Sequence, residues 1–253
     1  MGGIGNNLFQ YLALLALKEK GYEAIMVRNL TEKNLITRCL GWTIHENIFS
    51  RLLSTERVSF LVFYRSIAKL VLYKLGLFDS GVSFDVLPKR IVSNIDLFGY
   101  FQSKEFISEH KCHFSELKQL FGSDIDLNLK GKLVIHFRWG DSDWAKKWSS
   151  YYDCLVSIFH EFEEVVVVSD DHDAALARFG QFDNVRIKKD SNAFNDFQFL
   201  MAGDHIVCAP STFSWWASQL SASARVVYMP AFLFNKLGHH SKSQLRIINT
   251  ELI

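Results

Sequence analysis

No CxxC pair occurs in these 253 residues, and the four cysteines, Cys39, Cys112, Cys154 and Cys208, stand far apart. Neither a zinc knuckle nor a disulfide framework is indicated, and a reducing compartment is the simplest setting. Charge of one sign is not in excess either: 28 Lys and Arg face 27 Asp and Glu, a formal net charge of +1. Non-specific nucleic-acid binding needs a broad cationic surplus, so no nucleic-acid partner is expected. The N-terminus places glycines and amides where a secretion signal needs a basic region and a long apolar core. A long uncharged apolar run is missing as well. Residues 58 to 78 are the most apolar stretch, but Arg65, Lys69 and Lys74 interrupt the run of about 20 residues that a spanning helix requires. Leu61, Val62, Ile67, Leu70 and Val71 fit a core-facing amphipathic helix, with a membrane-surface helix as the alternative. The expected location is cytoplasmic, with room for peripheral contact at the inner face of a membrane.

What the chain does have is core-forming material, 49% hydrophobic residues, enough for one large domain or two α/β lobes. From Leu133 to Met229 short β-branched runs alternate with helical spacing, which predicts a parallel sheet covered by helices. A boundary between Gly122 and Lys132 divides the chain into an N-terminal lobe, 1–130, and a C-terminal lobe, 131–253. Residues 31 to 98 carry no chemical motif, and little can be read beyond Phe232.

The stretch LVIHFRWGDSD, Leu133 to Asp143, reads as a buried strand ending in turn chemistry at Trp139-Gly140-Asp141-Ser142. Such a strand delivers His136, Arg138 and Asp141 to a loop at its carboxyl end, where parallel sheets bind ligands. A guanidinium donates to two oxygens and stays charged, so Arg138 is the first candidate for a pyrophosphate contact. Alternation along the strand then turns Trp139 away from the site.

A second anion site is expected at Pro210-Ser211-Thr212-Phe213-Ser214-Trp215-Trp216, between an Ile206–Ala209 strand and a helix over Ala217–Leu220. Small hydroxyl residues at a strand-to-helix turn add side-chain donors to free N–H groups and the helix dipole. Gly2-Gly3-Ile4-Gly5-Asn6-Asn7 is a glycine-rich turn before a helix over Leu8 to Lys20 that Gly21 ends, a third potential anion site. Its spacing lacks the third glycine of a dinucleotide fingerprint, which disfavours a nicotinamide enzyme. Only Met1 precedes these glycines, so the strand that normally leads into such a loop is expected upstream of Met1. Other elements are a strand at Ala24 to Val27, a strand end at Leu97-Phe98 before a polar cap, a helix over Tyr151 to Phe162, and a strand at Val165 to Val168. Asp171-His172-Asp173 follows that last strand; it can cap a helix near Ala174 or hold a divalent cation through carboxylate oxygens. Asp196 is read as the start of a helix.

Taken in order, GGIGNNLFQYL, GYFQSKEF, HFRWGD, VVSDD, DFQFLM and STFSWW resemble the α-1,2-fucosyltransferases of glycosyltransferase family 11, whose pattern runs GGLGNQ, FQYA, GYFQS, HxRRGD, SDD, an Asp-led LM helix and STFSWW. The resemblance implies a two-lobed GT-B-like fold, with an acceptor-side N-terminal lobe and a Rossmann-like donor lobe. It implies GDP-fucose as donor, inversion at the sugar carbon, no required metal and no other cofactor, and an oligosaccharide or lipid-linked glycan acceptor in O-antigen or surface polysaccharide biosynthesis. By the same resemblance Arg138 neutralises the leaving pyrophosphate, His136 helps hold the nucleotide, Ser211 and Thr212 donate to phosphate oxygens, and Asp196 accepts from guanine or orients the pocket. Gly5 and Asn6 close on the donor. Inversion ordinarily uses a carboxylate or His to take the acceptor proton, and Asp141, Asp143 and Glu105 are the candidates, among which the sequence does not choose. The chain departs from the pattern at Trp139, where the family has a second Arg, and at Asn7, where it has Gln. Two competing readings stay open: a metal-dependent transferase resting on Asp171 and Asp173, and a non-catalytic sugar-nucleotide or glycan-binding module.

Overall fold

The computed structural model describes residues 3–24, 82–84, 87, 96–122, 128–140, 147–189 and 192–249. The expected strand at Ala24 to Val27 and the amphipathic stretch 58 to 78 lie largely or wholly outside them. The chain divides into two compact units, residues 1–102 and 103–253.

In the first unit α1 runs Ile4–Glu19. It begins a turn earlier than the sequence suggests, because the buried stripe of Leu8, Leu12 and Ala16 continues back to Ile4, so Gly5, Asn6 and Asn7 are helical and only Gly3 stays extended as the cap. Gly21 ends the helix as expected. With φ at 77°, it lets its own N–H reach Lys18 O and that of Tyr22 reach Leu17 O, at 2.9 and 3.1 Å. β1 (Val82–Phe84) and β2 (Asp96–Phe98) pair in parallel. The loop after β2 is tied to α1 by Gln10 Nε2 donating to Gly99 O and Gln102 Nε2 donating to Asn6 Oδ1, at 3.0 and 2.8 Å.

The second unit opens with α2 (Lys104–His110), whose Ser103 cap accepts from Phe106 N, then a 3-10 turn and α3 (Phe114–Gln119). The expected boundary at 122–132 would leave α2 and α3 in the N-terminal lobe. They belong instead with the C-terminal unit, because α2 packs on α8 (Ala231–Leu237) and α3 on α7 (Thr212–Leu220), with Phe114 against Trp216 at 5.1 Å.

Six strands follow: β3 (Leu133–Phe137), β4 (Val165–Ser169), β5 (Val185–Ile187), β6 (His205–Val207), β7 (Val226–Pro230) and β8 (Gln244–Ile248). They pair throughout in parallel in the order β5-β4-β3-β6-β7-β8. Every residue of β3, β4 and β7 is buried, as their largely apolar runs require when both faces are covered. On one face Leu133, Ile135 and Phe137 join Val165 and Val167 in a core with Tyr151, Tyr152 and Leu155 of α4 (Ser149–Val156) and Phe179 of α5 (His172–Phe179). Each such side chain fully buried stabilises by roughly 1.5–3 kcal/mol before chain entropy is counted. On the other face α6 (Ala193–Met201) approaches closely at Gly203, where a Cβ would lie 3.0 Å from Ile206 and 3.3 Å from Val134.

Two helices differ from the sequence reading. α4 stops at Val156 instead of Phe162, because the chain tightens into a 3-10 turn at Phe159–Glu161 that keeps both Phe159 and Phe162 buried. Asn184 holds that turn by donating to both of their carbonyls at 2.9 Å. α6 begins at Ala193 with Asn192 as its cap, which accepts from Phe194 N and Asn195 N, so Asp196 lies inside the first turn and does not start the helix. The region beyond Phe232 also has definite structure: α8 ends at Gly238, φ 74°, and β8 adds an edge strand.

Candidate functional site

The strand order places the chain reversal between β3 and β6. The chain winds outward through β4 and β5 on one side, then returns to place β6, β7 and β8 on the other. At such a switch point the two loops leaving the carboxyl ends diverge and open a crevice. Arg138 is the first residue beyond β3, and the turn Cys208–Ser211 leads from β6 into α7.

A hydrogen bond joins the two loops. Arg138 Nη1 donates to Ser211 Oγ at 3.0 Å, joining residues 73 apart in sequence. Ser211 is the N-cap of α7, and its oxygen also accepts from Phe213 N at 3.2 Å. A guanidinium, a hydroxyl and a helix N-terminus therefore converge, three groups whose positive ends favour an anion. α7 starts at Thr212, five residues before the expected Ala217, because Ser211 satisfies the end of the helix. Thr212 is half-buried in its first turn. His136 lies beneath this convergence, 7% exposed, with its ring 5.2 Å from that of Phe213.

The residues flanking Arg138 face the other way. The Trp139 indole stacks on Phe137 at 5.2 Å and 18°, and the Arg178 guanidinium lies 5.6 Å from its centroid. Trp139 packs against the core, as strand alternation leads one to expect. Beneath the loop Tyr152, fully buried, accepts from Arg138 N at 3.3 Å and donates to His136 O at 3.4 Å. Burial raises the Tyr152 pKa well above 10.0, so its hydroxyl keeps its proton. Burial likewise pushes the Cys208 thiol up to about 12.

The acidic run after β4 serves local structure. Asp170 Oδ1 accepts from Trp139 N at 2.8 Å and Gly140 N at 3.3 Å. Asp171 caps α5 by accepting from Ala174 N at 3.0 Å, and Asp173 is exposed in the first turn of that helix. The DxD spacing is thus accounted for on one carboxylate by capping. Asp196, 8% exposed, pairs with Lys188 Nζ at 2.9 Å, and Lys188 follows directly on β5 at the same end of the sheet. An ion pair this enclosed keeps both charges where one alone would be costly.

The site residues expected in the C-terminal lobe thus divide. His136, Arg138, Ser211 and Thr212 gather at the switch point, and Asp196 lies on α6 with Lys188. Asp141 and Asp143 lie outside the described residues. Glu105 is on α2, and Gly5 and Asn6 lie on α1 of the other unit, with Gly5 buried. Tyr152 and Lys188 escape a sequence reading: the first looks like any core position of a helix, and the second like a solvated cation after a short strand.

The chain is similar to a glycosyltransferase. It is 26% identical to the O-antigen biosynthesis glycosyltransferase WbnK of Escherichia coli over 296 aligned positions, which cover 96% of this chain and 95% of that one. No family model matches. Among solved structures, E. coli heptosyltransferase WaaC with ADP aligns over 99% of this chain and 92% of its own, at 12% identity and a TM-score of 0.49. The fucosyltransferase NodZ from Bradyrhizobium covers 94% of each chain at 14% identity and a TM-score of 0.43. No helix among the described residues is long and apolar enough to cross a membrane.

Proposed function

We propose that the chain is an inverting glycosyltransferase of the family 11 α-1,2-fucosyltransferase type, which moves L-fucose from GDP-fucose to a hydroxyl of a glycan, with the 2-OH of a galactoside as the favoured acceptor position. The observation that carries this reading is the Arg138–Ser211 hydrogen bond across the β3/β6 switch point. It joins a permanent cation to a helix N-terminus where a nucleotide diphosphate would lie. The similarity to an O-antigen biosynthesis glycosyltransferase supports glycosyl transfer in the assembly of a surface polysaccharide. Such an acceptor is an oligosaccharide or a lipid-linked glycan, and the latter would bring the protein to the cytoplasmic face of a membrane as a peripheral visitor.

In this reading the acceptor oxygen attacks the sugar carbon opposite the departing nucleotide. The carbon–oxygen bond to the diphosphate breaks, and its electron pair moves onto the phosphate oxygen. Charge develops on that oxygen in the transition state, where preoriented donors act most strongly. Arg138, the Ser211 hydroxyl, Thr212 and the first-turn N–H groups of α7 supply those donors and do the work of a divalent cation, so no metal is required. His136 and Asp196 hold the nucleotide, with Asp196 accepting from the guanine edge. Asp141 takes the acceptor proton. Gly5 and Asn6 are retained as donor-binding candidates on the resemblance alone.

A screen of GDP-fucose, GDP-mannose, UDP-galactose and an ADP-sugar for binding and hydrolysis, in EDTA and with a galactoside panel, tests the reading. Turnover of GDP-fucose that persists in EDTA is the expected result. Preference for a UDP- or ADP-sugar, or dependence on added metal, would overturn it.

A further inference from the structure

β3 ends at Phe137, where its ladder with β4 also ends, at the pair Phe137–Ser169. The backbone N–H groups of residues 138 to 140 therefore lie beyond the sheet. Two side chains replace the missing strand: the Tyr152 hydroxyl bridges His136 O and Arg138 N, and Asp170 Oδ1 accepts from both Trp139 N and Gly140 N. Asp170 belongs to the neighbouring strand's loop, so it extends the β3–β4 pairing by a further step after the backbone ladder has stopped. The two loops touch here, since a Cβ on Gly140 would lie 3.4 Å from Asp170 O.

Phe137 is held in the core and Trp139 is stacked on it. With both neighbours turned to that face, the pleat leaves Arg138 only the opposite face, where Ser211 stands. Losing the tie at residues 139 and 140 would free Trp139 to lift and Arg138 to rotate. The Arg138 side chain samples many rotamers unless its backbone is held, so the tie bears on how often the guanidinium meets an anion.

Resting on the reading of Arg138 as the diphosphate ligand, we propose that Asp170 is a positioning residue of the donor site, which sets the direction of Arg138 through the backbone of the Trp139–Gly140 loop and touches neither the donor nor a cation. What the role requires of Asp170 is an acceptor oxygen in place. Charge is secondary, so Asp170→Asn retains the function and Asp170→Ala loses it. A general base behaves differently, because an amide cannot take up the acceptor proton, and a carboxylate metal ligand would lose its charge and show a dependence on added cation.

The test measures GDP affinity by calorimetric titration, kcat and KM for GDP-fucose, and thermal melting for wild type, D170A, D170N and R138A. We expect D170A to bind GDP about tenfold to a hundredfold more weakly, the scale of one or two lost hydrogen bonds to an ordered loop, with a melting temperature near wild type. D170N should stay within about threefold of wild type in both affinity and turnover. Wild-type affinity in D170A would overturn the positioning role, and so would D170N as impaired as D170A. Should D170A fail to fold, D170N alone decides, since loss of activity in the folded amide variant contradicts the proposal. Unchanged GDP affinity in R138A would instead refute the reading of Arg138 itself, a result distinguishable from failure at Asp170.

Discussion

Arg138→Ala removes a guanidinium from a loop whose backbone is held by other groups. Tyr152 still bridges His136 O and Arg138 N, and Asp170 still accepts from Trp139 N and Gly140 N. The side chain is half-buried and carries a hydrogen bond to Ser211, so the stability change should be on the order of 1 kcal/mol, a few degrees in melting temperature. Transfer suffers far more. Removing one preorganised donor from a transition-state oxyanion costs about 3 kcal/mol, roughly 150-fold in kcat/KM. Arg138→Lys keeps the charge but loses the planar fork, so its loss should fall between wild type and the alanine variant. Ser211→Ala also removes the α7 cap, at about 1 kcal/mol of stability. In the proposed reading Arg138 and Ser211 act on the same diphosphate, and the double variant should then lose less than the two single losses combined. GDP release from GDP-fucose with acceptor present is the assay, with circular dichroism melts as the control. A folded Arg138→Ala protein whose kcat/KM lies within about threefold of wild type would refute the reasoning.

GDP should raise the melting temperature more than UDP at matched concentration, since stabilisation follows the ratio of ligand concentration to dissociation constant; an equal or larger UDP shift would remove guanine reading by Asp196. Trp139→Arg should destabilise the fold by about 1–3 kcal/mol without tightening GDP, because it unstacks Phe137 and sets a second cation beside Arg178. GDP titrations of that variant at low and high salt check it, tighter and salt-sensitive binding being the contrary result. The Cys208 thiol, pushed up by burial from 9.0 to about 12, should resist iodoacetamide at pH 8 while exposed Cys112 and Cys154 react, as peptide mass spectrometry will show. The linkage has a definite sign: with the folded pKa raised, the contribution of Cys208 to stability is full below pH 9 and declines as pH rises towards 12, so Cys208→Ala should flatten the alkaline loss seen in denaturant titrations.

The features legible in the chain alone are those decided by neighbours in sequence. Short runs rich in Val and Ile announce β3 and β4, because a strand covered on both faces is mostly apolar. Gly21, Ser103 and Asp171 mark helix ends, since a cap is a contact between residues only a few apart. The outward face of Arg138 and the inward face of Trp139 follow from the two-residue period of a strand. Other features were beyond local reading. That α4 stops at Val156 depends on Asn184 reaching back to two carbonyls, and the units divide before α2 because α2 and α3 find their apolar partners on α8 and α7. Asp196 sits inside α6 because Asn192 competes successfully for the cap. β8 alternates too weakly in burial to declare itself, and only pairing with β7 makes it a strand. Local sequence suffices for β3, β4, β6 and β7 and for the polar groups at the carboxyl ends of the first three. The order of those strands, and with it the meeting of Arg138 with Ser211 across 73 residues, was decided only by the tertiary structure: a parallel sheet joins its strands through crossovers, and the burial of both its faces selects which strand lies beside which.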